Sequence, residues 1–224
     1  MTPRPPALVV FDCDGTLVDS QHAIVACMEA AFAAEGEAPP PAAAVRRVIG
    51  LPLAECVARL GPDLAGERHG RIVEAYKEHF FILRQRPDHH EPLFPGAVEA
   101  LDAIERSGAL LGIATGKARR GLLAVLERHG LADRFVTLQT GDVGPGKPHP
   151  AMLERAIDEA GCTAAETVMI GDTVFDIQMA RSAGSWAVGV VWGYHDPAEL
   201  TAAGAHRLVD SFMTLPGILA GAED

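Results

Sequence analysis

Short apolar segments alternate with amphipathic segments along most of the chain. Five apolar runs predict β-strands, near residues 7–11, 109–114, 135–138, 167–170 and 186–191. Between the later runs, helical spacing of apolar residues predicts helices that mostly end at a glycine, near residues 97–106, 119–129, 148–160 and 175–183. Alternating strands and helices, with strands that are apolar on both faces, are typical of a parallel sheet covered on both sides. We therefore predict an α/β fold with a Rossmann-like parallel sheet core and helices on both faces.

The region that follows the first strand departs from this alternation. Helical segments are predicted after Ser20 and near 42–48, 53–60 and 67–86, with a stiff break at residues 39–41, which are all proline. We predict a small all-helical cap domain at 19–89, inserted into a core formed by 1–18 and 90–224. Hinges for movement of the cap are expected near 19–22 and 86–93.

Composition narrows the class of protein. The 224 residues carry 19 Lys and Arg against 30 Asp and Glu, a net charge of −11. This excess disfavours nucleic acid and anionic membranes as partners, so a phosphorylated substrate would need a local cationic site. No signal peptide or membrane span is evident, and the four cysteines have no paired spacing, which favours reduced thiols and a cytoplasmic location.

Two carboxylates stand where the first apolar run ends. Asp12 and Asp14 belong to the motif Asp-Cys-Asp-Gly-Thr, at residues 12–16. Acidic residues are depleted from strands and repel each other at short range, so a cation is expected between them, and a hard divalent ion with oxygen ligands fits best. The plainer alternative is a tight turn at Asp14-Gly15.

Polar residues also follow the other predicted strands. They are Thr115-Gly116-Lys117 after the second strand, Lys147 in the loop 141–150, and Asp172 with Asp176 after the fourth strand. Taken singly, these residues have plainer interpretations, such as a helix cap for Thr115 or a solvated loop position for Lys147. Ligands of open α/β sheets bind at the carboxyl ends of the strands, so together these residues predict one site for an anion and a metal.

The motifs and their order resemble those of the haloacid dehalogenase-like hydrolase superfamily. The resemblance covers nearly the whole chain and rests on residues 12–16, Thr115, Lys147, and Gly171-Asp172 with Asp176. The helical insertion between the first two motifs is similar to that of members with a small four-helix cap, such as phosphoglycolate phosphatase and β-phosphoglucomutase.

This resemblance implies a set of catalytic roles. Asp12 is the expected nucleophile, which forms an aspartyl phosphate, and Asp14 is the expected general acid and base. Mg²⁺ is the expected cofactor, held by Asp12, the backbone carbonyl of Asp14 and Asp172, with Asp176 placed behind these ligands or bound through water. Thr115, the Gly116 amide and Lys147 would hold the phosphoryl oxygens.

The predicted function is hydrolysis of a small phosphomonoester, such as 2-phosphoglycolate, by a monomer or weak homodimer. Asp14 argues against a dehalogenase or phosphonatase, which lack this second aspartate. A β-phosphoglucomutase-like mutase, a pyrophosphatase and a binding protein without turnover remain alternatives. Arg47, in the basic stretch 46–52 of the cap, is predicted to pair with a substrate carboxylate or second phosphate, unless it is simply a solvated helix end.

Overall fold

Six parallel strands form one sheet in the computed structural model, which describes residues 5–221. They are β1 (Leu8–Phe11), β2 (Leu110–Ala114), β3 (Phe135–Gln139), β4 (Thr167–Gly171), β5 (Trp186–Val190) and β6 (Arg207–Val209). Their order is β3-β2-β1-β4-β5-β6. The chain first builds outward from β1 through β2 and β3, and then continues on the other side with β4. The carboxyl ends of β1, β2 and β4 therefore surround the topological switch point, where ligands of such sheets bind.

Helices cover both faces of this sheet, as predicted. The core helices are α5 (Ala97–Arg106), α6 (Arg119–Arg128), α7 (Ala151–Ala160), α8 (Val174–Ser182), α9 (Pro197–Ala202) and α10 (Leu215–Leu219). Successive side chains of a strand point to opposite faces. Val9 and Phe11 accordingly pack with α5, α6 and α10, whereas Leu8 and Val10 pack with α7, α8 and α9. Strands buried on both faces explain the continuous apolar runs in the sequence.

Four further helices follow β1 and form the cap. They are α1 (Gln21–Ala34), α2 (Ala42–Val48), α3 (Leu53–Leu60) and α4 (Gly66–Arg84), and they enclose an apolar cluster of their own. Phe175, from α8 of the core, also belongs to this cluster. The two connections to the core run side by side: the Asp19 N–H donates to the Pro92 carbonyl (2.8 Å), and the Phe94 N–H donates to the Leu17 carbonyl (3.0 Å). The domain bounds at 19–89 stay a prediction.

The C-terminal elements were not predicted from the sequence. Strand β6 has three residues, of which only Val209 is buried, and α9 and α10 span six and five residues. Such short segments carry too few apolar positions to show a period. Helix α7 was predicted from residue 148 but begins at Ala151, because residues 146–149 form a turn in which the His149 N–H donates to the Gly146 carbonyl.

The described residues also bear on the membrane question. No helix within residues 5–221 combines the length and the apolar character that crossing a membrane requires.

Candidate active site

Strand β1 delivers Asp12 and Asp14 to the switch point, where both side chains are buried. The turn that follows depends on Gly15, which has a φ of +88°. A Cβ atom there would lie 2.3 Å from Asp172 Oδ2, so a glycine is required for both conformation and space. The next residue, Thr16, donates its hydroxyl to Asp172 Oδ1 (2.9 Å). The motif at 12–16 thus ties the end of β1 to the end of β4.

Three of the predicted carboxylates converge around one lysine. Asp12, Asp172 and Asp176 each offer a carboxylate oxygen, and these oxygens lie within 4.8 Å of one another. Lys147 Nζ lies 2.9 Å from Asp12 Oδ1 and 2.5 Å from Asp176 Oδ1, and the lysine is completely buried. We call these four residues the acidic centre. Lys147 is therefore not the solvated loop lysine of the plainer interpretation.

The acidic centre has less positive than negative charge. Three buried carboxylates face a single ammonium group, and Asp12 Oδ2 has no hydrogen-bond partner among the described residues. Burial raises the pKa of Asp12 to about 7, although Lys147 lowers it, and Asp176 raises it further. Burial, followed by the charges of Asp12 and Asp176, also raises the pKa of Asp172 well above its ordinary value. A divalent cation with oxygen ligands fits this donor set and would supply the missing charge.

The side chain of Asp14 lies apart from this cluster. Its carboxylate accepts hydrogen bonds from Lys117 Nζ at both oxygens (2.6 and 2.8 Å) and from the Ser20 hydroxyl (2.6 Å). Burial alone would raise the pKa of Asp14, but the charge and hydrogen bonds of Lys117 lower it overall. We call Asp14 and Lys117 the Lys117 pair. The predicted metal contact of Asp14 involves its backbone carbonyl and stays a prediction.

Thr115 and Gly116 lie in the loop after β2. Thr115 is buried, and its hydroxyl accepts a hydrogen bond from the Lys117 N–H (3.3 Å). The helix-cap interpretation of Thr115 is wrong, because α6 begins only at Arg119, after Ala118. A Cβ atom at Gly116 would lie 2.4 Å from the carbonyl oxygen of Leu51 in the cap, so only a glycine fits this contact.

The cap closes over these residues through the loop between α2 and α3. Besides the contact with Gly116, Pro52 lies against Gly146, and Gly50 lies against Thr173. Asp12, Asp14, Lys147, Asp172 and Asp176 are at most 7% exposed. The structure therefore represents a closed arrangement.

Sequence reasoning left the segment after β5 without a role. In the structure, the Tyr194 N–H donates to Asp172 Oδ2 (2.9 Å), and the Trp192 indole donates to the Thr16 carbonyl (3.0 Å). A Cβ atom at Gly193 would lie 2.1 Å from Asp172 Cβ. These residues fix the orientation of Asp172. Their position directly after a predicted strand could have indicated this role, because the carboxyl ends of all parallel strands meet at one edge of the sheet.

Arg47 lies outside the group of converging residues. Its guanidinium donates to both carboxylate oxygens of Glu199 in α9 (2.5 and 2.8 Å), and its side chain is 55% exposed. The ion pair joins cap to core, and the predicted contact of Arg47 with a substrate stays a prediction.

Comparisons with known proteins agree with this fold. A family model described as haloacid dehalogenase-like hydrolase matches residues 9–190. Among curated proteins, a probable phosphatase, IndB, of Dickeya dadantii is 37% identical over 214 residues, which cover 94% of this chain and 92% of that protein. A phosphoglycolate phosphatase of Rhodospirillum rubrum is 32% identical over 220 residues, covering 94% and 89% respectively.

A solved structure extends the agreement to three dimensions. A hydrolase from Pseudomonas syringae superimposes with a TM-score of 0.86 at 29% identity, over 97% of this chain and 99% of that one. The sequence match spans β1 to β5, and thus all the strand ends that form the acidic centre. The chain belongs to the haloacid dehalogenase-like hydrolase family.

Proposed function

We propose that this protein is a phosphatase that hydrolyses small phosphomonoesters through an aspartyl phosphate on Asp12. The observation that carries the proposal is the acidic centre, in which Asp12 lies 2.9 Å from Lys147 at the switch point of the sheet. Membership of a hydrolase family and two relatives named as phosphatases support the same reaction. A binding protein without turnover would have no need for this costly concentration of buried charge.

Mg²⁺ is the metal that we propose for the acidic centre. Asp12, Asp172, Asp176 and the backbone carbonyl of Asp14 would hold it, since hard cations prefer oxygen ligands. Bound there, the ion would neutralise the carboxylates and polarise a phosphoryl oxygen. The shortage of positive charge around Asp12 supports this assignment.

In the first step, a carboxylate oxygen of Asp12 attacks phosphorus, and the bond between phosphorus and the ester oxygen breaks. The leaving oxygen takes a proton from Asp14. In the second step, the Asp14 carboxylate removes a proton from water, which attacks phosphorus and releases inorganic phosphate and the Asp12 carboxylate. Burial alone would raise the pKa of Asp14, but Lys117 lowers it overall, which favours the carboxylate form that this second step needs.

The phosphoryl group would be held by Lys147, the Thr115 hydroxyl and the Gly116 amide. The carboxylates of Asp12 and Asp176 raise the pKa of Lys147 although its burial alone would lower it, so this lysine stays cationic. A preorganised positive charge in a dry site stabilises the charge on the phosphoryl oxygens in the transition state.

The closed cap favours a small substrate. Since the site residues are almost inaccessible, substrate enters when the cap moves away and reacts when it returns, which excludes bulk water. We propose a compact phosphomonoester of the size of 2-phosphoglycolate. The cytoplasmic location and the monomeric or weakly dimeric state stay predictions.

The test is a panel of phosphomonoesters with p-nitrophenyl phosphate, pyrophosphate and β-glucose 1-phosphate, assayed for released phosphate with and without Mg²⁺. The wild-type protein should hydrolyse small monoesters, and Asp12→Asn should lose at least about 10⁴-fold in kcat/KM, as expected for removal of a nucleophile. Asp63→Asn, at an exposed position of the cap, is the matched control. Turnover by Asp12→Asn would disprove the assignment, and conversion of β-glucose 1-phosphate without net phosphate release would identify a mutase.

A further inference from the structure

Lys117 is a buried lysine that the mechanism above leaves without a substrate. Only 9% of its side chain is exposed, and its Nζ donates hydrogen bonds to both oxygens of Asp14. Burial alone would lower its pKa, but the charge of Asp14 and those of Cys13 and Glu91 raise it overall. The two hydrogen bonds hold Lys117 Nζ beside the group that protonates the leaving oxygen.

Two aromatic side chains of the cap lie on one side of this lysine. Lys117 Nζ lies 5.5 Å from the ring centroid of Phe80 in α4, and Tyr76 packs against that ring. Aromatic side chains exclude water, so a charge beside them interacts more strongly with a neighbouring charge than it would in solvent.

The other cations near the cap are engaged elsewhere. Arg84 also lies over the ring of Phe80, and its guanidinium donates to Glu91, which also contacts His89. Arg47 pairs with Glu199 on the surface, and Lys77 pairs with Glu74 while more than half exposed. Within residues 5–221, the carboxylate of Asp14 is the one acidic group that contacts Lys117 Nζ.

Distances connect Lys117 to the leaving group. A general acid must lie about 3 Å from the oxygen that it protonates. Since Lys117 Nζ is 2.6 Å from Asp14, it lies within roughly 6 Å of the ester oxygen, whereas a carboxylate on the next carbon of the alcohol lies about 3 Å from that oxygen. When the alcohol is oriented toward Lys117, such a carboxylate comes within hydrogen-bond reach of the ammonium group.

We infer that Lys117 determines specificity by binding a carboxylate that the leaving alcohol carries next to its ester carbon. The inference rests on the proposed phosphatase function and adds a binding residue that the family motif at Thr115 does not include. A neutral alcohol offers Lys117 no partner, and the lysine then remains on Asp14. Lys117 thus favours phosphorylated 2-hydroxy acids over neutral esters of the same size.

The test compares two esters that differ in the carboxylate. Wild-type protein should have a higher kcat/KM for 2-phosphoglycolate than for ethyl phosphate. Lys117→Met should lower that ratio on the order of 30-fold, the value of a charge-assisted hydrogen bond. Activity on ethyl phosphate should fall less, because Asp14 loses one partner. Lys117→Arg should recover part of the ratio, and Lys77→Met, the control for loss of an exposed lysine, should leave it unchanged.

Binding of glycolate, followed by NMR, provides a readout independent of turnover. Glycolate should bind wild-type protein and Asp12→Asn similarly, and Lys117→Met at least 10-fold more weakly. Urea titrations of Lys117→Met and of a second variant, Lys117→Gln, check that the variants are folded. An equal fall in activity on both esters, or glycolate binding that ignores Lys117, would overturn the inference while leaving the phosphatase proposal intact. Absence of hydrolysis by wild-type protein with glycolate binding retained would overturn the function alone.

Discussion

The acidic centre and the Lys117 pair are two buried arrangements of lysine and carboxylate that lie next to each other and differ in charge. In the acidic centre, Lys147 contacts Asp12 and Asp176, and Asp172 lies close to both carboxylates. In the Lys117 pair, one lysine faces one carboxylate, and the ring of Phe80 from the cap lies beside them. The first arrangement has an excess of negative charge, and the second is balanced.

Because of this difference in charge, the acidic centre needs a further cation and the Lys117 pair does not. The pKa of Asp12 is raised to about 7 because burial, with the charges of Asp176 and Asp14, outweighs the lowering by Lys147, whereas Lys117 and Ser20 outweigh the burial of Asp14 and lower its pKa. The acidic centre therefore needs a cation, and the Lys117 pair is complete until a substrate competes for the lysine. Metal dependence should follow from the first, and selectivity among alcohols from the second.

Loss of the metal should have the largest effect. Chelation should abolish phosphatase activity of the wild-type protein, and added Mg²⁺ should restore it, because the attacking carboxylate and the phosphate repel each other without the ion. Asp172→Asn should raise the Mg²⁺ concentration for half-maximal activity roughly 100-fold. Phosphate release measured over a Mg²⁺ titration gives both values, with Asp158→Asn on the exposed side of α7 as control. Full activity in the presence of chelator would contradict the prediction that the acidic centre, unlike the Lys117 pair, requires a cation.

Removal of either lysine should affect stability to different degrees. Lys147→Met leaves three buried carboxylates without a cation and should lower the free energy of unfolding by about 3–5 kcal/mol. Lys117→Met leaves one carboxylate that still accepts a hydrogen bond from Ser20, and it should cost only about 1–3 kcal/mol. Urea unfolding of both variants in chelator, followed by circular dichroism, measures the difference. Equal losses would show that the excess charge of the acidic centre is compensated in another way.

The smallest effect is expected at the surface pair of Arg47 and Glu199. The two side chains are 55% and 37% exposed, so the pair is screened by solvent and contributes little. Arg47→Met and Glu199→Gln should each change KM for 2-phosphoglycolate by less than about twofold. A rise in KM confined to the Arg47 variant would instead demonstrate the substrate contact predicted from the sequence, and Lys117 would then not act alone.

The repeated pattern of the chain was sufficient to predict the succession of strands and helices in the core. Fully apolar runs separated by amphipathic segments determine a parallel sheet with two covered faces, because each strand must bury both of its sides. The same rule located Asp12, Lys147, Asp172 and Asp176, since the carboxyl ends of parallel strands meet at one edge. The helical insertion after β1 also followed from local periodicity. The short C-terminal elements did not, because three residues of β6 carry too little pattern.

Partners of side chains were determined only by the tertiary structure. Lys117 lies 103 residues from Asp14, and Arg47 lies 152 residues from Glu199, and no local signal distinguishes a buried lysine from an exposed arginine at these distances along the chain. Whether a cation of the cap, such as Arg47, contacts the site depends on how the cap packs against the core. That packing involves both surfaces and is not encoded in either segment alone. The sequence by itself determined which charges reach the carboxyl edge of the sheet, because strand direction fixes that edge. The tertiary structure decided which of those charges pair with each other, and the cap covers them.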